Sequence, residues 1–382
     1  MIRTTPAETK LVICVWHPFS LWNAPPEVAA HVRASWPAMR VLHLEGFDGL
    51  EQELPDTDIF VGASLRPAQF AVARKLKWIH ATAAGVGQLM YPELRASRIE
   101  VTNASGVHRV PMAEHILGTL VALARRFPDC VRYQMEGHWS QEDLWRGVPG
   151  GRRLIELRGQ TVLFIGFGAI GREVARLAQP LGVRVWAVTR SGRADPNLAE
   201  RTFPSSKLHE ALPEASFVIL AAPETPETRK MMGEREFALM KPSAYFINVA
   251  RGALVDEGAL VRVLQQRRIA GAALDVTAEE PLPRESRLWK LDNVFITPHV
   301  SAVATTCGNV KLLYYWTISS VGSAGANSRI VLILREDTDA PVANAPVVRR
   351  DFSCPRGARL GPYSPGARRR PPSFLCPSYS PP

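Results

Sequence analysis

The stretch Thr161–Gly171, TVLFIGFGAIG, decides how this chain folds. An apolar strand pattern runs into the glycine spacing GxGxxG and then into a helical pattern, which predicts a strand, a tight turn and a helix in succession. Gly166 would permit the turn, Gly168 would let a pyrophosphate approach the backbone, and Gly171 would let the helix pack closely. The motif therefore predicts a dinucleotide site.

The start of the predicted helix belongs to the same site. The first N–H groups of a helix have no partner inside it, so those near Ala169 and Ile170 are available to a phosphate group. The alternative interpretation is a glycine-rich turn that binds no ligand.

The next predicted strand ends about 20 residues further on, where enzymes that bind NAD usually place an acidic residue on the ribose hydroxyls. This chain has Thr189, Arg190 and Ser191 there instead, with Arg193 close by. Hydroxyl and guanidinium donors suit a 2′-phosphate. We therefore expect NADP to be preferred over NAD, the alternative being that Arg190 is a solvated surface residue.

Short apolar runs recur on both sides of the motif, and helical patterns separate them, which is typical of parallel sheets. The predicted strands of the first half are Leu11–Trp16, Arg40–Leu44, Asp58–Gly62, Lys77–Ala81 and Ile99–Thr102. Those of the second half are Thr161–Ile165, Val183–Val188, Phe217–Ala221, Ala244–Val249, Ala272–Val276 and Val294–Ile296. We expect an α/β protein with two doubly wound sheets, the second a dinucleotide-binding Rossmann fold.

Helical patterns lie between these strands. After Pro111, a helix that crosses into the second domain is predicted by Ala113, Ile116, Leu117, Leu120, Ala124 and Phe127. Later helices are predicted at Ala169–Leu181, Ser206–Leu212, Arg235–Met240 and Glu257–Arg268. Asp256 is placed to cap the last of them.

The composition is that of a soluble globular protein. Apolar residues make up 46% and charged residues 21% of the 382 positions, and no apolar run reaches the ~18 residues of a membrane span. The chain start lacks the layout of a signal peptide and the five cysteines are scattered, so we expect a reducing cytoplasm.

The net charge of +10 is partly a property of the chain end, because eight arginines and four acidic residues contribute +4 after position 334. No nucleic-acid-binding signature accompanies this charge, so we expect neither a nucleic acid nor a membrane partner.

Length and composition predict the domain organisation. We place a substrate domain at 1–108 and a cofactor domain, including the crossover helix, at 109–299. The segment 300–334 diverges in character, and 335–382 is a basic tail rich in proline and arginine, without hydrophobic periodicity. Such a tail buries too little apolar surface to offset its ordering entropy, so we expect it to be disordered.

Three later segments follow predicted strands, and each carries one polar residue suited to catalysis. They are Ile247–Gly252 with Arg251, Leu274–Pro283 with Glu280, and Ile296–Ser301 with His299. Ligands bind at the carboxyl ends of strands in open parallel sheets, so these residues are expected to meet. Taken singly, they would be a surface ion-pair partner, a solvated acid and a structural histidine.

These motifs, in this order, resemble the D-isomer-specific 2-hydroxyacid dehydrogenase family, which includes glyoxylate/hydroxypyruvate reductases and phosphoglycerate dehydrogenases. The resemblance runs from about Leu11 to Ala302. It rests on His80–Val86, Met112–His115, the GFGAIG loop, Met240–Pro242, Asn248–Gly252, Asp275–Val276, Glu280–Pro283 and Pro298–His299. It implies a flavodoxin-like substrate domain, a Rossmann NAD(P)-binding domain, and an oxidoreductase that acts on the CH–OH group of 2-hydroxy acids.

The resemblance also implies catalytic roles that elementary chemistry supports. Oxidising a secondary alcohol removes a hydride from carbon and a proton from oxygen. His299 would be the acid–base group, and Glu280 would hydrogen-bond its ring and stabilise the imidazolium. Arg251 would pair with the substrate carboxylate and polarise the C2 oxygen.

Further contacts are implied by resemblance. Backbone groups at Ala84, Gly85 and Val86 would hold the substrate carboxylate, and Asp275 would contact the nicotinamide amide. The other implied cofactor contacts are Pro223, Val249 and Ala250. Related enzymes are usually homodimers joined through the cofactor domain, so a homodimer is expected.

Other polar residues are assigned more ordinary roles. His115 and Glu114 are expected to be structural polar residues between the domains, and Trp16 and His17 are candidates to touch the substrate side chain. The cysteines lack metal-binding pairs and no GxSxG motif occurs, so we expect neither a metal site nor a serine hydrolase.

The favoured reaction is reduction of glyoxylate, hydroxypyruvate or a close analogue, because Arg190 points to NADP. A nicotinamide-binding regulator on the same fold is the alternative from another class, and formate or phosphite oxidation is a third without a clear signature. After Ala302 the chain departs from the family pattern, in which a helix returns to the first domain.

Overall fold

The computed structural model describes residues 9–17, 22–83, 85–104, 106–147 and 152–304, and within them the strands form two parallel sheets. The first sheet contains β1 (Lys10–Cys14), β2 (Arg40–Leu44), β3 (Ile59–Gly62), β4 (Trp78–Ala81) and β5 (Glu100–Asn103). The second contains β6 (Thr161–Ile165), β7 (Arg184–Thr189), β8 (Arg201–Pro204), β9 (Phe217–Leu220), β10 (Tyr245–Asn248), β11 (Gly271–Leu274) and β12 (Val294–Ile296).

The order of the strands identifies both sheets as doubly wound. The first sheet has the order β2-β1-β3-β4-β5, which is the flavodoxin-like arrangement. The second has the order β12-β11-β10-β9-β6-β7-β8, the Rossmann arrangement extended by one strand. The predicted fold class is therefore confirmed, and the crevice where strand order reverses lies between β6 and β9.

Helices connect the strands in the described part of the chain. They are α1 (Pro26–Ser35), α2 (Leu50–Glu53), α3 (Pro67–Val72), α4 (Pro92–Arg95), α5 (Arg109–Ala124), α6 (Phe127–Met135), α7 (Gln141–Arg146), α8 (Ala169–Ala178), α9 (Leu208–Ala211), α10 (Glu234–Leu239) and α11 (Glu257–Gln265). Asp256 caps α11 as predicted, because its side chain accepts a hydrogen bond from the N–H of Ala259.

The second sheet separates two apolar layers. Alternate residues of its strands point to opposite faces, so Phe164 and Ile247 belong to one layer and Leu163 and Phe246 to the other. Buried residues of α5, including Ile116 and Leu120, join the Phe164 layer together with those of α8. The crossover helix α5 therefore packs on the second sheet.

Two details of the sequence prediction were wrong. Strand β8 was missed because it is a four-residue edge strand with a partly polar sequence that ends in proline. Phe127 was assigned to the crossover helix, but Arg126 adopts a left-handed conformation at φ 56° and ends that run. Phe127 therefore begins α6 and is exposed.

Some predictions fall on other parts of the chain. Ala84 and everything after Ala304, including the expected disordered tail, lie outside the described residues. Among the residues that the structure does describe, every helix is too short or too polar to cross a bilayer. We retain the domain limits 1–108, 109–299, 300–334 and 335–382 as a proposal.

Candidate active site

Three neighbouring strands of the second sheet end at the same level. Asn248 of β10 pairs with Leu274 of β11, which in turn pairs with Ile296 of β12. The loops that follow these aligned ends carry Arg251, Glu280 and His299. All three predicted residues therefore lie at the carboxyl edge of one sheet, where open α/β sheets bind ligands.

His299 and Glu280 form a direct pair at this edge. Nδ1 of His299 lies 2.6 Å from Oε2 of Glu280, and because an ionised carboxylate can only accept, the imidazole donates through Nδ1. The other carboxylate oxygen, Oε1, accepts from the N–H of Thr277 at 3.1 Å. Both side chains are partly exposed. The pair is thus held in one orientation and leaves Nε2 of His299 for another partner.

The backbone at His299 is constrained. Its φ of 53° lies in the left-handed region, which histidine tolerates better than most residues. The N–H of His299 donates to the carbonyls of Asp275 and Thr297, both at 2.9 Å. These bonds over-determine an unusual conformation, as is common where a side chain must be aimed.

Asp275 organises the loop that carries His299. Its side chain is 1% exposed. Oδ1 accepts from the hydroxyl of Thr297 at 2.6 Å and from the N–H groups of Val300 and Ser301 at 3.0 and 3.2 Å, and Oδ2 accepts from Ser301 at 3.1 Å. The resemblance implies that Asp275 contacts a nicotinamide amide. In the structure, the hydrogen bonds of its carboxylate go to other residues of this chain.

His115 connects the crossover helix to this loop. Its Nε2 lies 3.4 Å from Oγ1 of Thr297 and 3.9 Å from Oδ1 of Asp275. The Thr297 hydroxyl donates its only hydrogen to Asp275, so it can only accept from His115. The single N–H of the neutral His115 imidazole is therefore on Nε2. Burial holds the pKa of His115 below its ordinary value, although Asp275 acts in the opposite direction. His115 is thus a neutral structural link.

Arg251 lies between the two sheets. Asn248 shapes its turn by donating to the carbonyl of Arg251 and accepting from the N–H of Ala250, and Arg251 Nη1 donates to the Ala250 carbonyl at 2.6 Å. A methyl group built on Gly85 would lie 3.0 Å from Arg251 Nη2. The guanidinium therefore contacts the loop after β4 that also contains Val86.

Gly252 joins the Arg251 loop to the Glu280 loop. A Cβ at Gly252 would lie 1.9 Å from the carbonyl oxygen of Thr277, so only glycine permits this approach. Thr277 in turn donates its N–H to Glu280. A continuous set of contacts thus runs from Arg251 through Gly252, Thr277 and Glu280 to His299.

The glycine motif has the shape that a dinucleotide site requires. Gly166 has φ 89°, and a Cβ there would lie 2.7 Å from the backbone of Ala221 and Ala222, beside β9. A Cβ at Gly171 would lie 2.8 Å from the Phe167 ring, which explains the close packing of α8. Gly168 occupies the N-cap of α8, so the first N–H groups of the helix, at Ala169 and Ile170, lie beside this cradle.

The polar side chains of the loop after β7 differ in their exposure to solvent. The hydroxyl of Thr189 is buried and bonds to the backbone N–H and carbonyl of Arg193, so it shapes the loop. Arg190 and Ser191 are exposed. Of the donors expected for a 2′-phosphate, Arg190 is thus presented to solvent and Thr189 is engaged internally.

The remaining cofactor positions follow the ends of β9 and β10. Pro223 is exposed, and its carbonyl accepts from the hydroxyl of Thr228 at 2.7 Å. Val249 and Ala250 are buried next to Arg251. In the described part of the chain, no group of three or more His, Cys, Asp or Glu residues is arranged to hold a metal ion.

Sequence reasoning missed the residues that hold the site together. Thr277 and Thr297 make their contacts across loops, and Asn248 stood in a motif without an assigned hydrogen bond. The signal available for them was their position beside strand ends. Trp16, a candidate for the substrate side chain, follows β1 and meets the ring of Phe47 edge-on at 5.8 Å.

Comparison with known proteins identifies the family to which this fold and this edge of the sheet belong. Residues 117–301 match the family model described as D-isomer specific 2-hydroxyacid dehydrogenase, NAD binding domain. The chain is 37% identical to the glyoxylate reductase of Pyrococcus furiosus over 236 residues. The aligned region covers 61% of this chain and 68% of that protein. The chain belongs to the D-isomer-specific 2-hydroxyacid dehydrogenase family.

Other members of the family agree with this. The D-3-phosphoglycerate dehydrogenase of Methanocaldococcus jannaschii is 33% identical over 262 residues, 66% of this chain and 47% of that protein. A solved D-isomer specific 2-hydroxyacid dehydrogenase from Xanthobacter autotrophicus Py2, in complex with NADPH and MES, superposes with a TM-score of 0.66 at 28% identity, covering 79% of this chain and 92% of that one.

As a 2-hydroxyacid dehydrogenase, the protein is an NAD(P)-dependent oxidoreductase that acts on the CH–OH group of hydroxy acids. The alternative, a regulator on the same fold, is not favoured by these relatives.

Proposed function

We propose that the protein reduces small 2-keto acids, glyoxylate or hydroxypyruvate foremost, with His299, Glu280 and Arg251 as the catalytic set. The observation that carries the proposal is the alignment of the ends of β10, β11 and β12, which brings a guanidinium, a carboxylate and an imidazole to one edge of the sheet, with the guanidinium next to Gly85. The glyoxylate reductase of Pyrococcus furiosus, at 37% identity, supports the substrate class.

His299 would supply the proton. Because Nδ1 is bound to Glu280, Nε2 is the nitrogen that exchanges a proton with the C2 oxygen of the substrate. Glu280 would stabilise the charged imidazolium and fix the tautomer, which is what reduction of a ketone requires. When bound, the nicotinamide supplies the hydride in this direction.

Arg251 would hold the substrate. Its guanidinium is next to Gly85, so a carboxylate placed there would accept from both the guanidinium and the backbone of the loop at Gly85 and Val86. This arrangement would orient C2 and exclude alternative poses, which lowers the entropic cost of reaction. Ala84 belongs to the same loop in the sequence and is included in the proposal.

The cofactor would be held by the glycine cradle. The Gly166 and Gly168 backbone and the N-terminus of α8 fit a pyrophosphate, and Arg190 is available to a 2′-phosphate. The Xanthobacter relative in complex with NADPH supports a preference for NADP. Thr189 would act by shaping the loop, Ser191 by facing the ribose, and Pro223, Val249 and Ala250 by lining the cofactor. Asp275 would act on the nicotinamide end through the loop that it organises.

The test is an initial-rate assay of glyoxylate and hydroxypyruvate with NADPH and with NADH. We expect kcat/KM to be higher with NADPH, and Arg190→Ala to lower the NADPH value about 10–100-fold while leaving the NADH value unchanged, since a charge-assisted hydrogen bond contributes ~1.5–3 kcal/mol. Arg176→Ala, at the exposed end of α8, is the matched control and should change neither value.

Two outcomes would contradict these proposals. Measurable NADPH binding without turnover over a panel of 2-keto acids would favour the regulator. Equal loss of NADPH and NADH activity in Arg190→Ala would show that Arg190 does not read the 2′-phosphate.

We also propose a cytoplasmic homodimer. Phe127, Val131 and Met135 recur every four residues and form an exposed apolar stripe along α6, and Trp139 and Trp145 follow it. We name these five residues the α6–α7 surface. A surface of this kind marks an association site, and a second copy of this chain fits the expectation from the family. The proposal includes neither a nucleic acid nor a membrane.

A further inference from the structure

The turn that carries Glu280 is formed by residues 277–280, and we call it the Glu280 turn. Its internal hydrogen bonds run from the Thr277 hydroxyl to the Glu279 carbonyl at 2.7 Å and from the Thr277 N–H to Glu280 Oε1 at 3.1 Å. These bonds fix the shape of the turn, but they do not fix its position relative to the rest of the sheet. Its position depends on contacts with residues outside the turn.

Two hydrogen bonds join the Glu280 turn to other parts of the described chain. One is the pair between Glu280 and His299, and the other joins the N–H of Ala278 to Oε2 of Glu257 at 2.9 Å. The close approach of Gly252 limits the turn on one side only, since a steric contact does not pull. Because His299 lies in a separate loop, the bond to Glu257 is the one that can hold the turn in place.

Glu257 is attached to a rigid part of the chain. It is the first residue of α11, whose buried residues belong to one of the two apolar layers of the second sheet. The segment before it pairs with Met232, which donates its N–H to the Leu254 carbonyl at 3.1 Å and accepts from the N–H of Asp256 at 2.9 Å. The base of the Glu257 side chain therefore has little freedom to move.

The same segment carries Arg251, six positions before Glu257. The bond from Ala278 to Glu257 thus connects the loop of Arg251 with the Glu280 turn at a second point, in addition to Gly252. A carboxylate that accepts from a backbone N–H forms a charge-assisted hydrogen bond, which is stronger than a neutral one. This bond is accessible to solvent, which weakens it, so its loss should loosen the turn without unfolding the domain.

We propose that Glu257 is a positioning residue for the reaction. By holding the N–H of Ala278, it keeps the Glu280 turn where the Glu280 carboxylate meets His299. The inference rests on the proposed catalytic role of that pair. Glu257 touches neither His299 nor the proposed carboxylate site in this arrangement, so its effect on the rate should pass through Glu280 alone.

The test begins with initial rates of the full chain with glyoxylate and NADPH. Glu257→Ala should lower kcat about 3–10-fold, the size expected for the loss of one net hydrogen bond, while the KM for NADPH stays within about twofold. Glu257→Gln should restore kcat to within about twofold of the wild type, because its amide oxygen can still accept from Ala278. If the alanine variant does not fold, Glu257→Asp takes its place, since the shorter side chain cannot reach Ala278.

Glu234→Ala is the matched control. Glu234 is the first residue of α10, as Glu257 is of α11, and its carboxylate pairs with Arg262 on the surface at 3.1 Å. The control removes the same charge from the same position of a helix without touching the Glu280 turn. We expect kcat to stay within about twofold of the wild type.

A double substitution separates an action through Glu280 from a general structural effect. In Glu280→Ala, which removes the acceptor of His299, the addition of Glu257→Ala should lower kcat no further. Hydrogen exchange followed by mass spectrometry gives a readout that does not depend on turnover. Deuterium uptake of a peptide that contains residues 277–280 should become faster in Glu257→Ala and should not change in Glu234→Ala.

The outcomes distinguish the inference from the proposed function. An impaired Glu280→Ala together with an unimpaired Glu257→Ala would overturn the inference and leave the proposed function intact. Fully additive losses in the double variant, or unchanged exchange of the Glu280 turn in Glu257→Ala, would also overturn it. An unimpaired Glu280→Ala would contradict the catalytic role of Glu280 itself, and the inference would fall with it.

Discussion

Two histidine–glutamate pairs in this protein have nearly the same geometry but different surroundings. His299 and Glu280 are 2.6 Å apart at the carboxyl edge of the second sheet, whereas His209 and Glu236 are 2.7 Å apart between α9 and α10. We expect His299→Gln to lower kcat about 10²–10⁴-fold, because glutamine cannot deliver a proton, with little change in NADPH affinity.

His209→Gln is the matched control for this prediction. It removes an equally short bond to a glutamate without touching the three strand ends, so kcat should stay within about twofold of the wild type. Stopped-flow or steady-state rates and NADPH fluorescence titration measure both quantities. An unchanged kcat in His299→Gln would eliminate His299 as the acid–base group.

His80 is expected to make stability depend on pH. It is buried on β4, and burial lowers its pKa from 6.5 to about 4. The Trp78 indole N–H donates to the Thr102 hydroxyl, which is then free to donate to Nδ1 of neutral His80. The unfolded chain takes up a proton near pH 6.5 and the folded chain only near pH 4. The contribution of His80 is therefore complete above pH 6.5 and lost as the pH falls towards 4.

The measurement is urea unfolding at pH 7.5 and pH 4.5 for the wild type and for His80→Asn, which keeps an acceptor for Thr102 but does not titrate. Each pH unit of difference in pKa corresponds to ~1.36 kcal/mol, so the wild type should lose about 2–3 kcal/mol more than the variant over this interval. The carboxylates contribute equally to both proteins and cancel. Equal losses would show that His80 is protonated in the folded state.

At the residue scale, the sequence pointed to the residues with distinctive chemistry. It did not predict the hydrogen bonds that hold their loops in place. Arg251, Glu280 and His299 follow predicted strands, so their common position at the carboxyl edge of the second sheet was predictable from the geometry of parallel sheets. The use of Asp275 as an acceptor for Thr297, Val300 and Ser301 depends on how one loop folds over another. Such contacts have no periodicity in the chain, so no pattern predicts them.

At the element scale, the loops after β10 and β11 are held together by a glycine. Gly252→Ala would place a methyl group 1.9 Å from the Thr277 carbonyl, which is backbone and has to move. We expect a loss of about 1–3 kcal/mol in stability, typical of overpacking. We also expect kcat/KM to fall at least tenfold, because Arg251 and Glu280 would be moved apart. Thermal unfolding and initial rates measure the two effects.

Gly118→Ala is the control for this substitution. Gly118 lies in α5, is exposed, and has no atom within 4 Å of the added methyl group. Alanine should therefore stabilise the helix by ~0.5–1 kcal/mol and leave kcat/KM unchanged. If Gly252→Ala behaved like Gly118→Ala, the two loops would not depend on each other.

The elements themselves were predictable where their patterns were strong. Eleven of the twelve strands in the described residues were predicted, because buried parallel strands are short apolar runs between helical patterns. Strand β8 pairs only with β7 at the edge, and its charged Arg201 and terminal Pro204 resemble a loop. The boundary at Arg126 was missed because a left-handed residue between two helices interrupts neither the spacing nor the composition.

At the scale of the whole molecule, the second sheet separates two polar edges with different tasks. The carboxyl edge carries the proposed catalytic set and faces the loop at Gly85 of the first sheet. At the amino edge, Arg132 and Arg152 connect α6 to the start of β12. Arg152 donates to the carboxylates of Asp129 and Asp292, and Arg132 donates to the carbonyl of Asp292. Asp129 lies on the face of α6 opposite to the apolar stripe of Phe127, Val131 and Met135. Its ion pairs therefore hold the helix by its inner face, and the stripe stays exposed.

That exposed stripe predicts the assembly state of the full chain. Trp139 and Trp145 are 87% and 83% exposed in the isolated chain, which is unusual for such large apolar side chains. We expect wild-type protein to have twice the chain mass in light scattering after size exclusion, and Trp139→Lys/Trp145→Lys to shift it to a single chain, because two buried lysines without partners oppose association. Val72→Lys, on α3 of the first sheet, should remain dimeric. Circular dichroism must show that the double variant is folded. If the folded double variant still had twice the chain mass, the contact between copies would lie outside the α6–α7 surface.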